Sequence, residues 1–265
     1  MKNNKEIKVN WNKYAEQYDA ITMSGANPSY EELVNIVFKS FGYGVIKKDS
    51  LILDIGGGTG NFTMPLAKFY PDSKFVIADT SEKMLEIAKK KAEKNKLKNV
   101  DCILEDAENI NKIVETYSRP ITHAFMIHSL YTTGGINDEK PRRILKNIND
   151  YLENYNSQFL ISDINRQINT NDWIPYCLKN KFFSYRKEGK GKINSIIKTA
   201  QFFKENDQSK LANKFIDYHQ QKGEYIICSL EQFVGIIKES GMDQIHKQSD
   251  AYYRGRDNFI VTSKK

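Results

Sequence analysis

The stretch LDIGGGTGNFT, residues 53–63, leads from an apolar run into a helical pattern through four glycines. A turn so poor in side chains lets backbone N–H groups approach a ligand, either a phosphate or some other nucleoside-bearing molecule. Spacing bears on the choice. A dinucleotide loop wants glycine at the first, third and sixth positions of G-x-G-x-x-G, the last so that helix and strand can pack closely. Counting from Gly56 gives Gly56 and Gly58, but Asn61 stands at the sixth position. The pattern present is D-x-G-x-G-x-G, with Asp54, Gly56, Gly58 and Gly60. Two more acids end the strand-like runs that follow, Asp79 in KFVIAD and Asp106 in VDCILED. Three acids ending three consecutive strands at one edge of a parallel sheet argue for a shared ligand. His128, near the end of a fourth run, ITHAFMIHSLY, can take a proton near neutrality, or it can serve packing and a backbone hydrogen bond.

The elements that must position these residues are read from periodicity. Apolar runs at residues 50–55, 74–79, 100–106, 121–131 and 158–165 have the continuous character of strands buried on both faces. Helical patterns separate them: FTMPLAKFY, TSEKMLEIAKKKAEK with a Thr/Ser cap, AENINKIVETY and PRRILKNINDYLEN. This alternation implies the α/β class, parallel βαβ crossovers and a sheet covered on both faces. Ahead of it, residues 11–21 place Trp11, Tyr14, Ala15 and Tyr18 at helical spacing, and a second helix is expected at about residues 30–41. The rhythm breaks at residues 166–224, which alternate polar and aromatic types, Trp173 and Tyr176 among them, and read as an inserted helical subdomain. Residues 229–241 then offer a capping box, Ser229 and Gln232 in S-x-x-Q spacing, and a glycine stop. Two strand candidates follow.

The D-x-G-x-G-x-G loop resembles motif I of the class I S-adenosylmethionine-dependent methyltransferases, and the similarity extends over most of the chain. The resemblance implies a Rossmann-like, seven-stranded, mostly parallel sheet with an antiparallel last strand, helices on both faces and a helical insertion after the fifth strand. It divides the chain into an N-terminal helical cover (1–42), a methyltransferase core (43–165 and 225–265) and a helical lid (166–224). It also implies S-adenosyl-L-methionine as cofactor, lying against Gly56, Gly58 and Gly60, where no Cβ stands in the way. Asp54 would then sit near the cationic end of the cofactor, Asp79 with Thr80 at the ribose, and Asp106 with Ala107 at the adenine. Tyr14 and Tyr18, on a helix similar to the family's cofactor cover, would lie over the site. Plainer roles stay open: Asp79 and Asp106 capping helices, and the two tyrosines half-buried on an amphipathic helix. Methyl transfer from a sulfonium is an in-line displacement, helped mostly by orientation and desolvation and sometimes by a base. His128 is the candidate base, with Tyr131, Trp173 and Tyr176 as acceptor contacts. The aromatic segment would be a lid that excludes water, or ordinary core and oligomer surface.

Composition narrows the partners. A net charge of +7 raises the question of nucleic acid, but lysine far outnumbers arginine and the densest run, residues 89–98, falls at the end of a predicted helix where cations complement the dipole. Many DNA and amino-group methyltransferases carry N/D-P-P-Y/F/W at the fourth strand end, whereas His128, Ser129, Leu130 and Tyr131 contain no proline. A small-molecule acceptor is therefore expected and nucleic acid disfavoured. An RNA- or protein-modifying methyltransferase and a non-catalytic cofactor-binding protein are the alternatives. The three cysteines and four histidines are scattered, so neither a disulfide framework nor a metal site is expected. No apolar run approaches the ~20 residues needed to span a bilayer, and the polar start lacks the apolar core of a signal peptide. A cytoplasmic protein is expected, with a second copy of the chain, in a homodimer, as a candidate partner.

Overall fold

The computed structural model describes residues 11–22, 28–41, 46–154, 156–165, 218–219, 221–251 and 257–263. Trp173, Tyr176 and most of the expected insertion lie outside the described residues. The strands are β1 (Leu51–Ile55), β2 (Lys74–Asp79), β3 (Val100–Leu104), β4 (His123–Ile127), β5 (Gln158–Ile164), β6 (Gln244–Ala251) and β7 (Asp257–Ser263). Helices between and around them are α1 (Trp11–Thr22), α2 (Pro28–Phe41), α3 (Thr63–Phe69), α4 (Glu82–Lys94), α5 (Ile110–Tyr117), α6 (Glu139–Tyr151) and α7 (Leu230–Glu239). One seven-stranded sheet has the order β3-β2-β1-β4-β5-β7-β6. Pairs from β3 through β5 are parallel, and β7 enters antiparallel between β5 and β6.

Period-two alternation explains how the two faces are covered. Leu51, Leu53 and Ile55 point to one face and pack with Ile110 and Ile113 of α5, Ile144 and Ile148 of α6, and Phe233 and Ile237 of α7. Ile52 points to the other face, where Leu33, Val37 and Phe41 of α2 and Leu66 of α3 join Phe125 and Phe259. Helix α2 therefore belongs to the core. The same alternation sends Asp54 to the α2/α3 face, which decides its surroundings.

Local signals hold where they were read. Ser81 caps α4 by accepting from the Met84 N–H, and the Ser229–Gln232 capping box at α7 closes in both directions. The fourth strand is shorter than its apolar run, however. Ile121 makes only an isolated bridge with Leu152, and at the far end His128 takes a φ of +53°, outside extended geometry. Residues Leu130–Thr132 then coil into a 3-10 turn. Among the described residues no helix is long and apolar enough to cross a membrane.

Candidate functional site

The glycine loop leaves β1 and is pinned beneath by backbone bonds. The N–H groups of Gly56 and Gly57 donate to the Ala78 carbonyl at 2.8 and 3.3 Å, and that of Gly60 donates to Gly57 at 2.9 Å. Gly58 has a φ of +54°, a region that L side chains rarely adopt, and its N–H donates to Asp79 Oδ2 at 2.9 Å. A Cβ at Gly58 would stand at ordinary contact distance from Met84 Sδ, 3.9 Å, and Asp79 Oδ2, 4.0 Å, so nothing crowds this position. The other glycines serve differently. A Cβ at Gly56 would overlap Ser129 Oγ at 1.9 Å, and one at Gly60 would press on Ile77 and Met64 at 2.8 Å. At Gly57, which the alternating pattern passes over, the intruder would meet the Asp54 carboxyl at 2.4 Å.

Asp54 thus lies under the loop. It is 2% exposed and accepts a 2.6 Å hydrogen bond from Thr63 Oγ1 at the start of α3. Burial pushes its carboxyl up to about 7; the Thr63 bond opposes this and the nearby Asp79 charge adds to it. Asp79 is also held above its ordinary value by burial, against N–H donors from Ser81, Gly58 and Thr80. One of its oxygens binds Gly58 and the other binds Ser81 at 2.8 Å, so this carboxylate ties the loop to the start of α4. Two carboxylates kept from easy ionisation are a setting that a cationic ligand would reverse. The room at Gly58 and these two carboxylate acceptors fit a nucleoside ligand with hydroxyl and ammonium donors.

Asp106 stands just beyond β3. Its Oδ1 accepts from the Glu108 N–H at 2.9 Å, capping the 3-10 turn that begins at Ala107, while Lys140 of α6 reaches Oδ2 at 3.2 Å. Lys140 also meets Glu108 at 3.2 Å.

Helix α1 crosses this region. Asn12 Oδ1 accepts from Ser81 Oγ at 2.7 Å and from the Lys83 N–H at 3.2 Å. Two turns later Asp19 accepts from Thr59 Oγ1 at 2.7 Å and Asn61 Nδ2 at 3.3 Å, and pairs with Lys91 Nζ at 2.7 Å. Tyr14 and Tyr18 fall between these anchors, half-buried, with ring centroids 5.9 Å apart. Lys91 corrects one expectation: this member of the lysine run turns inward to Asp19 and to Asn61 Oδ1 at 2.6 Å instead of joining a solvated helix end.

On the other side of the sheet centre, His128 follows β4 and donates its N–H to the Ser162 carbonyl at 2.7 Å; its side chain is half-buried. The Tyr131 N–H donates to Asp163 Oδ2 at 3.2 Å, and its buried ring stands edge-on to Tyr225 at 5.3 Å. Tyr225 stacks in turn on His219 at 5.1 Å, and His219 pairs with Glu224. His123, at the opposite end of β4, is 5% exposed and is pushed down to about 4 by burial and by Lys47, so it is no proton acceptor near neutrality.

Sequence reasoning missed Gly57, Asp19, Lys91 and the Tyr225–His219 pair. Gly57 was visible as part of a triplet. Asp19 carried no signal, because its partners lie 40 and 72 residues away.

A mostly parallel sheet of this order with antiparallel last strands, a glycine loop after β1 and acids at successive strand ends define a class I, Rossmann-like S-adenosylmethionine-dependent methyltransferase domain. The chain belongs to the methyltransferase-domain family, whose profile it matches over residues 46–255. It is 31% identical over 135 residues to a malonyl-[acyl-carrier protein] O-methyltransferase from Priestia megaterium, an alignment covering 50% of this chain and 46% of that protein. It is 29% identical over 147 residues to a release factor glutamine methyltransferase from Streptococcus pneumoniae, covering 50% and 51%. The chain thus spans about half the length of these curated relatives. A solved S-adenosylmethionine-dependent methyltransferase from Clostridium acetobutylicum shares the fold with a TM-score of 0.59 at 13% identity, covering 96% of this chain and 98% of that one.

Proposed function

We propose that the protein transfers a methyl group from S-adenosyl-L-methionine to an oxygen or nitrogen atom of a small-molecule acceptor. The observation that carries the reading is the Gly58–Asp79 junction: an uncrowded left-handed glycine whose N–H is held by a carboxylate that burial keeps above its ordinary pKa. When bound, the cofactor supplies a methyl group on a sulfonium that is already activated for displacement. The protein's share is binding, orientation and water exclusion. In this reading Asp79, with Thr80, accepts hydrogen bonds from the ribose, Asp106 and Ala107 hold the adenine, and Asp54 balances the ammonium group from beneath Gly56, Gly58 and Gly60. Tyr14 and Tyr18 cover the cofactor. His128 takes the proton that the acceptor loses, while Tyr131, Trp173 and Tyr176 contact the acceptor; the last two assignments, and a lid formed by residues 166–224, rest on sequence.

Similarity to an enzyme named for O-methylation supports an oxygen acceptor. Similarity to one named for a release factor glutamine favours a second reading, methylation of a protein. Calorimetry with S-adenosylmethionine against NAD, followed by mass spectrometry of methylated products in a cell extract, separates these outcomes. Binding of the methyl donor with small methylated products is expected. Binding of NAD alone would overturn the assignment, and a methylated protein product would select the second reading.

A further inference from the structure

The bonds that hold α1 reach beyond covering a site. Asn12 and Asp19 are seven residues apart, close to two helical turns, so both side chains leave the same side of α1. One anchors at Ser81 and Lys83, at the start of α4; the other anchors at Thr59 and Asn61, the tail of the glycine loop. These two places flank the Gly58–Asp79 junction, so α1 straps across it. Asp19 is the charged anchor, receiving a hydroxyl, an amide and the Lys91 ammonium on one carboxylate. The loop is also held by Ala78 and Asp79 and, at Asn61, by Lys91 of α4. Asp19 is therefore the point where a peripheral helix grips the loop that the cofactor needs.

We infer that Asp19 is a positioning residue that retains the cofactor: its bonds to Thr59, Asn61 and Lys91 clasp α1 over the glycine loop, and the cofactor enters and leaves when that clasp opens. The inference rests on the function proposed above. It also gives Asn61 a reason to replace the glycine of a dinucleotide loop, since its amide bonds both Asp19 and Lys91. Because Asp19 and Lys91 side chains are 30% and 23% exposed, the pair is partly screened and can open without unfolding the core.

The test is a chase of labelled S-adenosylmethionine from the full-length protein, paired with amide hydrogen exchange of residues 11–22 without ligand. Asp19→Asn is expected to release the cofactor about tenfold faster, the scale of losing partly exposed charge-assisted bonds. Exchange in α1 should quicken with the melting temperature unchanged, and the faster cofactor release is the readout that a purely structural role would not move. Lys91→Met should do the same, and Lys91→Arg, which keeps the charge and the donors, should stay near wild type. A release rate in Asp19→Asn within about twofold of wild type, with α1 exchange unaltered, overturns the clasp. Wild-type protein that binds no S-adenosylmethionine overturns the cofactor reading itself, and hydrogen exchange distinguishes that failure by still reporting whether Asp19 holds α1.

Discussion

Asp54, proposed above to balance the cofactor's ammonium group, is buried at the expense of the fold. Its carboxyl titrates at about 7 against an ordinary 3.8, because burial outweighs the Thr63 hydrogen bond. Between those values the folded chain holds a proton that the unfolded chain has released, so stability falls as pH rises through the window. Each unit is worth ~1.4 kcal/mol, and above pH 7 the whole cost is present. Asp54→Asn keeps the shape and removes the charge. It is expected to raise the unfolding free energy at pH 8 by about 2 kcal/mol or more and to change little near pH 4. Urea denaturation at the two pH values checks this, and a loss of stability at pH 8 would refute it. Calorimetry on the same variant should show weaker S-adenosylmethionine binding, because the ammonium group loses its counter-charge. Asp54, Gly58 and Asp79 were legible in the sequence because each sits at a fixed step from a strand end. The clasp at Asp19 was not, since no local pattern relates it to Lys91.

At the scale of elements, the side proposed to receive the acceptor, at Tyr131, is built where two stretches of chain meet. The segment after β4 is bonded to the chain that follows residue 217: the Ile226 N–H donates to the Tyr131 carbonyl at 3.3 Å, and the Tyr131 and Tyr225 rings touch. Gly135 makes this approach possible, because a Cβ there would stand 2.0 Å from the Gly223 carbonyl oxygen. Backbone cannot swing away as a side chain can, so Gly135→Ala must separate the two stretches. The expected cost is about 1–3 kcal/mol of stability. Acceptor KM should rise while S-adenosylmethionine affinity stays, since the loop at Gly58 is unaffected; equal losses in both would show that the two sides are one unit. Strand and helix alternation announced β1 to β5, and the capping box announced α7. The length of β4 was overread because composition does not reveal that His128 leaves extended geometry. Meetings such as Gly135 with Gly223 are set by tertiary packing, and the sequence shows only that both are glycines.

For the whole molecule, two buried groups on the neighbouring central strands β4 and β1 set opposing dependences on pH. His123 touches Phe41 edge-on at 5.8 Å, and neither ring nitrogen has a hydrogen-bond partner among the described residues. Burial and Lys47 push its pKa from 6.5 to about 4. In that interval the unfolded chain binds a proton that the folded chain refuses, so stability falls as pH falls, by about 3 kcal/mol in all. Asp54 works the other way over nearly the same range, and Asp79, raised in the same sense, adds to it. The contributions of His123 and Asp54 therefore oppose one another between pH 4 and 6.5, and removing either group should unmask the other. His123→Phe keeps an aromatic contact for Phe41 and has nothing to protonate; relative to wild type it should gain about 3 kcal/mol as pH is lowered from 7.5 to 4. Asp54→Asn should instead steepen the acid loss. Denaturation curves for the two variants and wild type across this range decide the matter: parallel curves for all three would mean that neither group is held as far from its ordinary pKa as the fold implies.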